Sequence, residues 1–238
     1  MIFTLFRAAN AVFAVVVAIL VSQRYGDNTT GKILTVVITA SVVAFFEWLL
    51  SWAPKHSVKA RNQLDPRARF SGVWIQQVKF VHSGSEENPD SPNNFAVFTV
   101  AYSKDADNYA IEGIAYTKEG EEHANWYSEK VVHFAKDGRS MTYMWKGTVT
   151  NPKIKGEPGR TGFCNLNLIA ADGGTGRVDH VAVEVILEFN FSRITREWLA
   201  ENQVREFEPE KLANPVYRKR FALALAKARA SSEDEAAK

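Results

Sequence analysis

Two long apolar runs near the N-terminus constrain this chain more than any other feature. The first spans roughly residues 2–21 and the second roughly residues 33–53. At ~1.5 Å rise per residue, a helix of about 20 apolar residues crosses a hydrocarbon core of ~30 Å. Lipid offers no hydrogen bonds to bare backbone, so such runs enter a bilayer as helices. A secretory signal peptide is the competing reading of the first run. Against it, Arg7 follows several apolar residues instead of preceding them, and Ser22, Gln23, Arg24 and Tyr25 form no small-residue cleavage pattern. The polar stretch from Ser22 to Lys32 then reads as the turn of a transmembrane hairpin occupying residues 1–54.

Orientation follows from the lysine and arginine excess near the helix ends. The turn holds Arg24 and Lys32, whereas the basic linker at 55–69 holds Lys55, Lys59, Arg61, Arg67 and Arg69. The richer side is expected to face the cytosol, which makes the protein multi-pass with both termini cytoplasmic. A single cysteine, Cys164, excludes an internal disulfide framework and fits a reducing compartment.

Two charges interrupt the apolar runs. Arg7 lies 14 positions before Val21, and Glu47 lies 14 positions after Ile33. Counted from the shared turn, each sits about 21 Å from the outer end of its helix. A lone charge deep in a bilayer costs about 2.5–3.5 kcal/mol. Pairing of Arg7 with Glu47, within one hairpin or between neighbouring copies, lowers that cost; so does separate snorkelling to the nearby interface. Asn10 and Ser41 are further polar groups able to join helices.

From about residue 70 the periodicity changes. Runs such as "FSGVWIQQVKF", "FAVFTVAYS", "SMTYMWKGTV" and "VDHVAVEVILEF" are rich in Val, Ile, Phe, Tyr and Trp, with turn material between them. In the last run Val181, Val183, Val185, Leu187 and Phe189 share one face, with His180, Glu184 and Glu188 on the other. The "GGTG" at 173–176 reads as a turn between two strands. The pattern predicts an all-β, antiparallel, roughly eight-stranded barrel over 70–191, wide enough to be filled by side chains or to hold one small ligand. Helices are expected at 192–207 and 215–230, followed by a disordered tail at 231–238.

No catalytic constellation is visible, and the chain is not read as an enzyme. His56, His82, His123, His133 and His180 show no metal-ligand spacing, and no cofactor motif appears. A net charge of +2 argues against DNA or RNA as a partner. More informative is a set of aromatic and polar groups on the strands: Tyr116, Trp126, Ser128, Tyr143, Trp145, Arg160, Asn165 and Asn167. Groups of this kind stack on a base and hold a phosphate.

Two resemblances add to this reading. "GVW" at 72–74 resembles the G-x-W opening of lipocalins, which implies a lipocalin-like barrel and, as one alternative, a small apolar ligand. The stretches "YAIEGIAYTKEGEEHANWYSEKVVHF", "MTYMWKGT" and "GRTGFCNL", behind two apolar helices, resemble the two-transmembrane-helix, β-barrel effectors of bacterial cyclic-oligonucleotide antiphage signalling (CBASS). That resemblance implies an inner-membrane effector. Its barrel would bind a cyclic dinucleotide, assemble into a homo-oligomer and disrupt the lipid bilayer. The ligand residues it implies are Tyr116, Trp126, Ser128, Tyr143, Arg160 and Asn165, with Arg7 and Glu47 serving membrane assembly. A membrane scaffold that recruits a protein partner is the remaining alternative.

Overall fold

The computed structural model describes residues 2–25, 28–83, 94–150, 159–181 and 185–236. They divide into two compact units, Met1–Ala68 and Arg69–Lys238.

The first unit is helical. Helix α1 covers Ile2–Tyr25 and α2 covers Thr29–His56, so most of the polar stretch read as an open turn is helix. Asn28 makes the short connection possible: its Oδ1 accepts from the Gly31 N–H at 2.7 Å and caps α2. The two helices pack together, with Phe13 edge-on to Phe46 at 5.5 Å between centroids. On α1 the least exposed positions are Asn10, Ala14, Val17, Ala18, Val21 and Ser22, a stripe at helical spacing. Arg7 continues that stripe by position; its side chain lies outside the described residues. On α2 Glu47 is half-buried and belongs to the matching stripe with Val43, Phe46 and Leu50. Apolar side chains of α2 off this stripe are exposed, Val36, Val37, Phe45 and Trp48 among them. Among the described residues α2 is the helix long and apolar enough to cross a membrane, with a mean hydropathy of 2.2. The part of α1 described with its side chains, Asn10–Tyr25, is apolar and shorter. Ser57 then breaks the helix and caps α3 (Val58–Leu64) through its hydroxyl, so the basic linker is helical over part of its length.

The second unit is a closed antiparallel barrel of eight strands, each paired with its neighbour in sequence. The strands are β1 (Gly72–Ser83), β2 (Phe95–Ser103), β3 (Asn108–Tyr116), β4 (Glu122–Phe134), β5 (Ser140–Val149), β6 (Gly159–Ala170), β7 (Gly173–His180) and β8 (Val185–Arg193), and β1 closes the ring on β8. Closure removes the exposed edges that an open sheet would present. The end where β1 begins and β8 finishes is plugged. Trp74 is fully buried there and donates from Nε1 to the Phe70 carbonyl at 2.7 Å. The Arg193 guanidinium lies 4.2 Å from the Trp74 ring centroid and donates to the carbonyls of Ser71 and Arg69.

Two features of the strand reading are corrected. "GGTG" is not a turn but part of β7, and the single long last run is two strands. The glycines are there for space: a Cβ on Gly176 would stand 2.2 Å from the Phe189 ring, and one on Gly174 would stand 2.9 Å from that of Phe191. Because the chain reverses between His180 and Val185, one alternation cannot be carried through both strands. Val181 is exposed while Leu187 and Phe189 are buried; Val183 and Glu184 lie outside the described residues.

A second core lies outside the barrel. Residues 95–100 are buried without interruption, since alternate side chains fill the barrel and the others pack beneath helices. Ile75, Phe95, Val97 and Tyr116 meet Leu199 of α4 (Arg196–Glu201), Leu212 of a 3₁₀ turn (Pro209–Ala213), and Phe221 and Leu225 of α5 (Pro215–Ala236). The β3–β4 turn is seated on α5. Gly120 adopts φ +81° there, and any side chain would collide with the Ala222 carbonyl 2.7 Å away. Helix α5 also runs through most of the tail expected to be disordered, with the Ser231 and Ser232 hydroxyls donating to the carbonyls of Lys227 and Ala228.

Candidate functional site

The barrel end opposite Trp74 holds a cavity of about 100 Å³. It is surrounded by the strand ends that lead into the β1–β2, β3–β4, β5–β6 and β7–β8 connections. Its wall is mostly apolar, with polar groups that include Gln76, Asn94, His123, Asn125, Thr148, Arg160 and His180. No Asp or Glu is among the described residues that line it, and Arg160 is the one arginine or lysine there.

Two tryptophans shape the space. Trp126 lies nearly parallel to Tyr143, at 6.0 Å between centroids and 18° between planes. It rests flat on β3 because Gly113 has no side chain: a Cβ there would stand 2.4 Å from the indole. Trp145 faces the neighbouring wall and meets the His180 ring edge-on at 4.9 Å. Gly162 makes room for it, since a Cβ there would stand 2.8 Å from Trp145 Nε1. Glycine opposite an aromatic ring is a recurrent device for packing large rings inside small barrels.

Below the rings the side chains are buried. The Tyr143 hydroxyl donates to the Cys164 sulfur, and both groups are fully buried. Burial disfavours both anions: the Tyr143 phenol is held well above its usual value, and the Cys164 thiol is pushed up to about 12. Burial thus favours the protonated form of both groups, and Cys164 packs within the barrel.

The structure brings Trp126, Tyr143 and Arg160 of the expected ligand set together around this cavity. The other three lie elsewhere. Tyr116 points away from the barrel interior into the helix-covered core, stacked on Phe95 at 5.5 Å; its buried hydroxyl has no partner among the described residues. Burial raises its phenol above the ordinary range. Ser128 accepts the Ile111 N–H at 2.9 Å, which commits its hydroxyl to the β3–β4 ladder. Asn165 is on the outer wall, where its Oδ1 accepts from the Thr142 hydroxyl at 2.6 Å, and Asn167 accepts from Ser140 in the same way. The strand reading passed over His180 because the read-through from β7 to β8 put it on the face opposite Leu187, yet both line the cavity.

No family model and no curated protein matches this chain. Among solved structures, it is similar to a biogenic amine-binding protein (selenomethionine derivative) with a TM-score of 0.37 and 14% identity, over 61% of this chain and 81% of that one.

Proposed function

We propose that this chain is a membrane-anchored sensor whose barrel takes a flat ring against Trp126, and that the ring is a nucleobase of a cyclic dinucleotide. The observation that carries the reading is the parallel Trp126–Tyr143 pair in the cavity wall beside Arg160. An aromatic face of this kind accepts a base at about 1–3 kcal/mol, and a guanidinium suits phosphate oxygens. A cavity of about 100 Å³ admits one ring system, so the remainder of a dinucleotide would occupy the mouth. The exposed apolar surface of α2 supports anchoring, and the CBASS resemblance supplies the consequence: ligand binding drives homo-oligomerisation in the bacterial inner membrane and disrupts it. Such coupling requires the ligand to bind the assembled form more tightly than the single chain.

The small cavity and its apolar wall favour a second reading, a lipocalin-like module for a small apolar ligand without further output. Calorimetry on the full chain in detergent separates the two. Saturable binding of a cyclic dinucleotide, weakened about tenfold in Trp126→Ala, supports the sensor. Binding of retinoids or fatty acids with no response to any nucleotide replaces it with the second reading. Leakage of protein-bearing vesicles only in the presence of the nucleotide tests the output.

A further inference from the structure

We infer that the β5–β6–β7 side of the cavity is an acceptor subsite, which takes the oxygens of an anionic group, carboxylate or phosphate, carried by the ring-bearing ligand. This rests on the ring-binding reading above and specifies the group attached to the ring.

The first observation is Trp145. It is 8% exposed, and its Nε1–H is buried with no hydrogen-bond partner among the described residues. An unmet buried donor is costly, and native proteins leave few of them. Trp145 lines the cavity, and its Nε1 stands over Gly162 on the inner face of β6. The second observation is independent of the first. Arg160 is two residues from Gly162 on the same strand, hence on the same face, and it also lines the cavity. His180, the register partner of Gly162 on β7, completes that side. The third is the lack of any Asp or Glu among the described lining residues. Among these residues a cationic ligand would find no countercharge, whereas an oxyanion would meet a guanidinium and an indole N–H together.

Adenosine, its monophosphate, its uronic acid and its amino-deoxy analogue share one ring and differ in the attached group. Calorimetry of the full chain in detergent with these probes tests the subsite. The monophosphate or the uronic acid is expected to bind about tenfold more tightly than adenosine, with the amine weakest. Whichever of the two acids binds more tightly identifies phosphate or carboxylate as the natural group. In Trp145→Phe, which keeps a ring and removes the N–H, the advantage of the acid shrinks while adenosine binding persists. Arg160→Gln, at a half-buried position near the mouth, gives the same loss and serves if Trp145→Phe does not fold. The inference is overturned if the amine binds as well as the acids, or if both variants keep the full preference. Adenosine equal to the acids overturns it alone, because the ring still binds; no binding of any of the four overturns the ring-binding reading with it.

Discussion

At the scale of single residues, the site depends on side chains that are missing as much as on those present. Gly113→Ala puts a methyl 2.4 Å from the Trp126 indole and forces the ring off the wall. The expected cost is about 1–3 kcal/mol of overpacking, seen as a lower urea midpoint, together with loss of ring binding. Gly159→Ala, where nothing lies within 4 Å, is expected to be neutral in both assays. Cys164 makes a second prediction. Its thiol is pushed up from 9.0 to about 12 in the folded protein, so the native state holds a proton that the unfolded chain releases first. Stability from this group is complete below pH 9 and falls as pH rises from about 9 to about 12. Chemical denaturation across that window should show the decline, and Cys164→Ala should lessen it. At pH 8 burial keeps the native thiol protonated and out of reach, so thiol reagents should label the protein only after unfolding.

At the scale of elements, the C-terminal helices and the N-terminal pair hold together by different means. Arg218 of α5 is 1% exposed and donates to the carbonyls of Leu212 and Ala213 and to Glu112. Those carbonyls end the 3₁₀ turn, so Arg218→Ala leaves them unmet and opens space under α5. The expected loss is about 2 kcal/mol, with faster amide exchange throughout α5. Glu112→Gln should cost much less, because that carboxylate is 60% exposed and solvent screens the pair. In the N-terminal pair, Arg7 and Glu47 occupy matching stripes of α1 and α2. If they pair, either single charge reversal weakens cross-linked assembly in membranes and the double reversal restores it. If each snorkels alone, the double variant behaves as the sum of the two.

At the scale of the whole molecule, the chain consists of two units with separate internal packing, divided near residue 68. A chain beginning at Arg69 retains Phe70, Ser71 and all eight strands, and with them the Trp74–Arg193 plug. It is expected to be soluble, to unfold cooperatively and to bind the ring ligand, whereas the full chain fractionates with membranes. Circular dichroism of the shorter chain and carbonate extraction of the longer one check the two halves of that statement. That the first unit is helical and the second a barrel of strands was legible beforehand. Apolar runs longer than a soluble helix requires, and strand-length runs of β-branched and aromatic residues between turns, follow from local composition and spacing. The outer core was partly legible too. "FAVFTV" in β2 is apolar on both faces, which a strand tolerates only when both are covered. Which side of each strand faces the cavity was not legible. Ala115 and Tyr116 are chain neighbours, yet the first lines the cavity and the second lies beneath α5. Trp145 and His180 are 35 positions apart and touch because β5, β6 and β7 stand side by side. Side chains alternate with a period of two, so a sequence defines two faces without naming them. Bulges, such as those at Ala115/Tyr116 and Ser128/Lys130, then shift the register locally. Only closing the ring, and covering one arc of it with helices, decides which face is the inside.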